Sequence, residues 1–369
     1  MYPVVNLTRL TVVTCCRQDS SVAPGCSMHG VFWAADGPPL RFSWQANPEM
    51  PGTRERFGPR GSFRGYPHPA EMGQAGGRVE GKTFPDETTA KGTVAFMAAT
   101  PGEASCLLSL LEHHSPLPAP WGMELRSGSW GSSKLLVLTC GVGKVAAAAG
   151  AMYLALRHRP SAMLNMGTAG SLHPRLRIGD LVVAEEVLPA DVGIIHSRGF
   201  GHTGPGLCEE GRVLFHPSFK AHSALVEEAA RSAAKAGLPC HRGRIITCDQ
   251  VILDPGLRAH LGTTFRALAV EMEGSAVLQV AAGTGIPAAV IRAISDETEH
   301  DFVGLEEMLP YSGQSRPDLW CRRLRLTATD GSLLSRAREM RRGMREALAG
   351  LGRFLEAFLP ALVRALAGE

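Results

Sequence analysis

The sequence lacks the features that most quickly place a protein in a class. Its nine cysteines are scattered without a CxxC pair, and the adjacent Cys15 and Cys16 suit neither a simple disulfide nor a zinc site. We therefore expect reduced thiols, a cytoplasmic protein and no metal site. The apolar runs fall well short of the roughly 20 residues that a membrane-spanning helix needs, and the N-terminus has no sustained apolar signal core.

The chain also lacks a strong charge of either sign. Its formal net charge is +3 over 369 residues, which predicts no nucleic-acid or other polyanionic partner. Hydrophobic residues make up 44% of the chain, which is enough to bury a full core in one or two domains.

Hydrophobic periodicity is scarce in the first ninety residues, which are rich in Gly, Pro, Arg and Ser. Stretches such as PGTRERFGPRGSFRGYPHP, at 51–69, cannot bury enough apolar surface to offset the entropy lost on ordering. We therefore predict a disordered or low-order extension over 1–90 and a folded domain over 91–369.

Beyond residue 92, short apolar runs typical of strands alternate with helical patterns. This alternation predicts an α/β fold with a mainly parallel sheet. The predicted strands cover 93–99, 134–139, 162–166, 181–184, 241–247 and 288–293.

Two carboxylates follow predicted strands. Glu103 opens a helix after the strand 93–99, and Asp296 comes directly after the strand 288–293. Ligands bind outside the carboxyl ends of the strands in an open parallel sheet, so both groups are candidates for acid–base chemistry. Each also has a purely structural interpretation, because Asp is a favoured helix N-cap and Glu is stabilising near a helix N-terminus.

A glycine-rich segment offers a competing interpretation. Gly141, Gly143 and Ala146 match the dinucleotide fingerprint G-x-G-x-x-A. However, the next predicted strand is not followed by the acidic residue that would hold the ribose hydroxyls. It is followed by GTAG at 167–170, which we predict as a turn whose backbone amides approach a ligand closely. A dinucleotide-dependent oxidoreductase is therefore a minor alternative.

Four segments carry a resemblance to a known family, and they occur in the family's order. They are VAFMAATPGE (94–103), CGVGKVAAAAG (140–150), NMGTAGSLHPRLRIGDLVV (165–183) and VEMEGSAVLQVAAGTGIPAAVIRAISD (270–296). From about residue 92 onward the chain resembles the purine nucleoside/uridine phosphorylase superfamily. Within it, the chain is most similar to the nucleosidases that act on 5′-methylthioadenosine and S-adenosylhomocysteine. The resemblance implies a three-layer α/β/α fold with a central mixed, mainly parallel sheet, no cofactor, and a homodimer.

The resemblance also implies roles for individual residues. Asp296 would protonate N7 of a purine nucleoside, and Glu103 would polarise the attacking water. Cleavage of the C–N bond places electrons on the base, so an acid near the base lowers the barrier. Glu273 would hold the ribose hydroxyls while Met272 packs on the sugar, and Ser295 would orient Asp296. The implied substrate-binding residues are Thr168, Ala169, Gly170, Val251, Ile252, Glu271, Met272, Glu273, Arg292 and Ser295.

Departures from the family's pattern favour water over phosphate as the nucleophile. Phosphorylases of the family clamp phosphate with arginines, whereas here the helix that begins at Glu103 lacks one of them and Asn165 replaces another. Val251, Thr100 and Ile195 replace residues that usually meet the base or the 5′-substituent, so the exact nucleoside stays open. The alternatives are a phosphorylase, a hydrolase of futalosine or of a hopanoid-linked nucleoside, and a non-catalytic nucleoside-binding module.

The last predicted helix, 333–366, follows an apparent insertion over 300–330 that contains Pro310 and Pro317. The apolar residues of this helix recur at helical spacing, and Pro360 should kink or end it. We predict that the helix packs on the sheet. The alternative is a basic amphipathic helix that rests on a membrane surface.

Overall fold

The computed structural model describes residues 27–32, 40–45, 92–131, 133–197, 199–308 and 315–367. Within the predicted N-terminal extension, these include one antiparallel hairpin formed by β1 (Ser27–Phe32) and β2 (Leu40–Gln45). The remainder of the stretch predicted to be disordered lies outside the described residues. The hairpin and the large domain belong to separate units of the chain.

The described part of the large domain contains fourteen strands and seven helices. The strands are β3 (Thr93–Ala98), β4 (His114–Leu117), β5 (Glu124–Trp130), β6 (Ser133–Thr139), β7 (Ala162–Ser171), β8 (Leu181–Pro189), β9 (Gly193–His196), β10 (Gly199–His202), β11 (Gly206–Glu209), β12 (Arg212–Phe215), β13 (Phe219–Lys220), β14 (Cys240–Thr247), β15 (Ala269–Glu271) and β16 (Ala288–Asp296). The helices are α1 (Pro101–Leu108), α2 (Lys144–Arg157), α3 (Ser223–Lys235), α4 (Pro255–Phe265), α5 (Gly274–Thr284), α6 (Arg316–Thr329) and α7 (Ser332–Ala367).

One large mixed sheet organises the domain. Its centre is parallel, because β6, β3, β7 and β16 pair in succession in the same direction. Antiparallel strands β5 and β4 extend the sheet beyond β6. At the other side, β16 also pairs with β8, and β8, β14, β15 and β7 pair in turn, so five strands close into a ring. The predicted α/β fold with a mixed sheet is confirmed.

Side chains of each central strand alternate between two cores. Along β3, Val94 and Phe96 belong to a core that includes α1, α3 and α7. Their neighbours Ala95 and Met97 belong to a second core that includes α2 and α5. Because successive side chains of a strand point to opposite faces, a strand covered on both sides must be apolar throughout. This explains the continuous apolar runs and confirms the predicted three layers.

The segment 167–170 is not the turn that we predicted. It continues β7, and it pairs with β16 as far as Gly170. Its glycines are required by close approach rather than by a bend. A Cβ atom on Gly167 would lie 2.5 Å from both Arg292 Nη1 and Glu103 Oε1, and one on Gly170 would lie 3.0 Å from Asp296 Oδ2. Side chains from two other elements, α1 and β16, therefore pack directly against these two glycines.

Helix α7 packs along the sheet, as predicted. Its apolar face contacts β16 and α3, and it buries Leu351, Phe354 and Phe358. The helix does not end at Pro360 but continues to Ala367. Since the apolar face is covered by the protein core, it is not free to rest on a membrane. No helix in the described part of the chain is long and apolar enough to cross a bilayer.

The segment 300–330 contains a short 3-10 helix, Leu305–Met308, and helix α6. Residues 309–314, which include the predicted break at Pro310, lie outside the described residues. Pro317 lies in the first turn of α6, where a proline is tolerated, because the N–H group that it lacks would have no partner within the helix.

A substitution at Gly343 of α7 tests whether the packing of this helix fixes the position of the end of β16. A Cβ atom at this position would overlap the carbonyl oxygen of Ser295. We expect Gly343→Ala to lower the free energy of unfolding by about 1–3 kcal/mol through overpacking. Gly352→Ala is the matched control, because a Cβ atom there meets nothing within 4 Å, and it should raise stability by about 0.5–1 kcal/mol. Urea denaturation measures both, and equal stabilities would contradict this account.

Candidate active site

A cavity of about 320 Å³ opens where the carboxyl ends of β3, β7 and β16 meet. Eleven of the twelve predicted site residues line it, and the twelfth, Arg292, is fully buried. The eleven are Glu103, Thr168, Ala169, Gly170, Val251, Ile252, Glu271, Met272, Glu273, Ser295 and Asp296. Residues separated by almost two hundred positions in the chain thus share one small volume.

Glu103 is held by a capping box at the start of α1. Its Oε2 atom accepts hydrogen bonds from the backbone N–H and the hydroxyl of Thr100, each at 3.1 Å. Its Oε1 atom accepts from the backbone N–H of Thr168 at 2.8 Å and from the Thr168 hydroxyl at 3.1 Å. The structural interpretation of Glu103 is therefore correct, and the same contacts also fix its carboxylate at the cavity wall.

Arg292 lies beneath the cavity floor and joins two carboxylates. Its Nη2 atom contacts Glu271 Oε2, lies 3.5 Å from Glu273 Oε2, and donates to Asn165 Oδ1 at 2.5 Å. Its Nε and Nη1 atoms have no hydrogen-bond partner among the described residues. Asn165 therefore acts as a support for Arg292.

The Glu271 carboxylate is occupied by protein contacts. Its Oε2 atom accepts from the backbone N–H groups of Glu273 and Gly274, at 2.9 and 2.7 Å, and its Oε1 atom accepts from the Thr247 hydroxyl. These bonds shape the turn that begins α5 and aim the Glu273 side chain. Glu271 thus positions Glu273 as well as lining the cavity.

Glu273 is a carboxylate whose protonation is strongly altered by its surroundings. Burial raises the pKa of its carboxyl to about 7, and the negative charge of Glu271 adds to the effect, whereas Arg292 opposes it. Its Oε1 atom accepts from the backbone N–H of Gly143 at 2.9 Å. Gly143 has φ +98°, a conformation that favours glycine. The glycine-rich segment thus adopts the backbone conformation that brings the Gly143 N–H to Glu273. This contact accounts for the glycine pattern that resembled a dinucleotide fingerprint.

Asp296 ends β16 at the other side of the cavity. The helix-cap interpretation is wrong, because no helix begins here and the next helical turn starts at Leu305. Asp296 Oδ1 contacts the Ser295 hydroxyl at 2.6 Å, and Oδ2 lies 2.8 Å from Nη2 of Arg258. Burial raises the pKa of Asp296, whereas Arg258 and Ser295 act in the opposite direction.

Arg258 is the most informative residue that the sequence reasoning missed. It lies one turn into α4 and is only 2% exposed. Nothing in the sequence separates it from a solvated arginine on an amphipathic helix. Phe302, Met340 and Met344 also line the cavity without having been predicted. The methionines come from α7, whose position relative to the sheet is decided by packing alone.

The loop after β14 forms the remaining wall. It carries Val251 and Ile252 into the cavity, although Val251 is 63% exposed and offers no aromatic surface. An ion-pair network anchors the loop: Lys144 Nζ lies 2.7 Å from Asp191 and 2.9 Å from Asp249. By contrast, Ile195 is exposed on β9 and is not among the lining residues. No cluster of metal-ligating side chains occurs in the described ranges.

Comparisons with known proteins identify the family and similar chains. Residues 93–309 match the model of the Phosphorylase superfamily. The chain is 34% identical over 229 residues to a 5′-methylthioadenosine/S-adenosylhomocysteine nucleosidase of Geobacillus thermodenitrificans, covering 61% of this chain and 93% of that one. A nucleosidase of the same name from Geobacillus kaustophilus is 36% identical over 202 residues, covering 54% and 82%.

Solved structures show the same fold. The S-adenosylhomocysteine nucleosidase of Streptococcus pyogenes has a TM-score of 0.56 at 23% identity, covering 74% of this chain and 98% of that one. The futalosine hydrolase of Helicobacter pylori has a TM-score of 0.56 at 21% identity, covering 74% and 99%.

Proposed function

The chain belongs to the phosphorylase superfamily, and we propose that it is a nucleosidase that hydrolyses the N-glycosidic bond of an adenosine-type nucleoside. Its substrates are of the 5′-methylthioadenosine and S-adenosylhomocysteine kind, as the names of its curated relatives suggest. The observation that carries the proposal is the placement of Asp296 and three further carboxyl groups around one cavity.

Asp296 is the general acid. Burial raises its pKa, which favours the protonated form that a donor to purine N7 needs. Ser295 Oγ lies within hydrogen-bond distance of both Asp296 Oδ1 and the carbonyl oxygen of Ala169, at 2.6 and 3.2 Å. Its single hydroxyl proton can serve only one of them. When the Ser295 hydroxyl donates to the carbonyl of Ala169, its oxygen can accept a hydrogen bond from protonated Asp296. The pair can therefore hold the proton on Asp296 until it is transferred to N7.

Glu103 positions the attacking water. Its carboxylate lines the cavity, so a water there can donate a hydrogen bond to it. Arg292 lies beneath the floor and supports the neighbouring carboxylates of Glu271 and Glu273. The four acceptor sites of Glu103 are already occupied, so the Thr168 or Thr100 hydroxyl must rotate away when the water binds.

The acid and the water site lie at suitable separation along β7. Glu103 contacts Thr168, whereas Asp296 lies against Gly170. Because a strand rises about 3.3 Å per residue, two residues separate these contacts by about 7 Å. This spacing allows the base–sugar bond to lie between them. Glu273 then binds the ribose hydroxyls, and Met272 packs on the sugar.

The charge of the cavity supports hydrolysis rather than phosphorolysis. Four carboxyl groups line it, those of Glu103, Glu271, Glu273 and Asp296, and Arg258 is the one cation among the lining residues. Arg292, beneath the floor, is already paired with Glu271 and Glu273. An incoming phosphate dianion would meet net repulsion there, since phosphate sites in proteins are built from cationic and N–H donors. A neutral water meets no such barrier.

We also propose that the protein is a cytoplasmic homodimer. Exposed apolar side chains run along one side of α2, at Val145, Met152 and Leu156, and continue to Val142 at the cavity rim. A stripe of this kind marks a self-association surface. A second copy seated on it would reach the cavity through Val142. The six cysteines in the described part of the chain are all free, which suits a reducing compartment.

Asp296→Asn tests the acid. An amide cannot donate the proton that N7 needs, so we expect kcat for 5′-methylthioadenosine to fall by about 10²–10⁴-fold, with substrate binding retained. Adenine release and calorimetric titration measure the two quantities. Asp301→Asn, on an exposed side chain, is the control and should stay active. If the wild-type protein binds the nucleoside but releases no base, the chain is a binding module instead.

Phosphate provides a separate test of the nucleophile. We expect added phosphate to leave the rate of base release unchanged, because the acidic cavity offers no site for the anion. Chromatography of the sugar product should show the free ribose compound with and without phosphate. The appearance of a ribose 1-phosphate would overturn the hydrolytic assignment.

Val145→Glu tests the dimer surface. Burying a carboxylate in an apolar interface is costly, so we expect a dimer for the wild-type protein and a monomer for the variant in sedimentation velocity. Leu324→Glu, which charges an exposed apolar side chain on α6, should leave the dimer intact. A monomeric wild-type protein would rule the proposal out.

A further inference from the structure

The Arg258 guanidinium contacts protein atoms through all three of its nitrogens. Its Nε donates to the carbonyl of Ile252 at 2.8 Å, and its Nη1 donates to the carbonyl of Glu297 at 2.9 Å, with the carbonyl of His300 at 3.5 Å. Its Nη2 pairs with Asp296 at 2.8 Å. The side chain packs over the Phe302 ring, 5.7 Å from its centroid. These contacts fix the guanidinium in one orientation at the cavity wall.

One N–H group of Arg258 is left for a ligand. A guanidinium has five N–H donors and no acceptor. Hydrogen bonds to three backbone carbonyls use three of them, and the ion pair of Nη2 with Asp296 takes up a fourth. The fifth is on Nη2, beside Asp296 and at the cavity that Arg258 lines. A buried donor of this kind needs a hydrogen-bond partner.

The edge of the purine that meets Asp296 carries two groups. N7 accepts a hydrogen bond in every purine, but the neighbouring 6-substituent differs: an oxo group accepts, whereas an amino group donates. A protonated Asp296 with Arg258 beside it presents two donors, which match the two acceptors N7 and O6. Arginine is the usual partner of such a 6-oxopurine edge. Asp296 Oδ2 still has a second lone pair that can accept from a 6-amino group.

We propose that Arg258 is a specificity-determining residue that lets the site cleave 6-oxopurine nucleosides, of the inosine type, as well as 6-aminopurine nucleosides. The inference rests on the proposed nucleosidase function and extends its substrate class. On binding, the free Nη2 hydrogen donates to O6 while Asp296 donates to N7. The C1′–N9 bond then breaks with its electron pair going to the base, and N7 keeps the proton from Asp296. The water oxygen bonds to C1′ and its proton passes to the Glu103 carboxylate.

A matched pair of substrates measures this selectivity. 5′-Methylthioinosine and 5′-methylthioadenosine differ only in the 6-substituent. For the wild-type protein we expect kcat/KM for the two to agree within about tenfold. In Arg258→Met the ratio of inosine-type to adenosine-type kcat/KM should fall by a further ten- to hundredfold, which is about the worth of a hydrogen bond to a charged group. Arg231→Met, an exposed arginine on α3, is the control and should keep the wild-type ratio.

A purely structural Arg258 gives a different result. Loss of a clamp between the Ile252 and Glu297 carbonyls would lower both activities together and leave the ratio unchanged, which would overturn the proposal. So would a wild-type protein that discriminates against the inosine-type substrate by more than about a hundredfold. Arg258→Lys is the second variant if the methionine variant does not fold. Its single amine cannot hold the carbonyls and O6 together, so the same ratio should fall.

The same rate measurements test the proposed nucleosidase function separately. If neither nucleoside is hydrolysed by the wild-type protein, the nucleosidase assignment fails. If the wild-type protein cleaves 5′-methylthioadenosine but not 5′-methylthioinosine, that assignment stands and the role of Arg258 is rejected.

Discussion

The site depends on one fully buried cation. Arg292 has no contact with solvent, and its Nη2 atom brings Glu271 and Glu273 within reach of each other. Two carboxylates this close would repel strongly in a low-dielectric interior without a positive charge between them. The ion pairs do not fully offset the cost of burying these negative charges, because burial still raises the pKa of Glu273 to about 7. Arg292 therefore permits a dense cluster of acids, and it keeps a free donor on its other nitrogens.

The glycines of β7, Gly167 and Gly170, provide the second constraint. Glu103, Arg292 and Asp296 all pack against residues 167–170, where any side chain on Gly167 or Gly170 would displace them. The strand's backbone thus sets the separation between Glu103 and Asp296. Backbone is well suited to this purpose, because its pairing with β16 leaves it little freedom to move.

Functional and structural roles coincide at several of these residues. Glu103 caps α1 and also lines the cavity, so its structural role does not exclude the functional one. For Asp296 they could be separated, because the chain after it forms no helix. The glycine-rich segment was ambiguous for a similar reason. Positive φ values such as those of Gly141 and Gly143 suit more than one kind of site. Here they allow the Gly143 N–H to donate a hydrogen bond to Glu273.

The sequence by itself determined the layered α/β fold, because strands covered on both faces must be apolar throughout and the helices between them are long enough to recognise. It also located the carboxylates at strand ends, since position after a strand is a local property. Only the tertiary structure decided that 167–170 is strand rather than turn, that α7 passes through Pro360, and that Arg258 meets Asp296. These outcomes depend on which distant atoms pack together. Glycine, proline and arginine each suit more than one local setting, so their neighbours in the chain do not reveal which one applies.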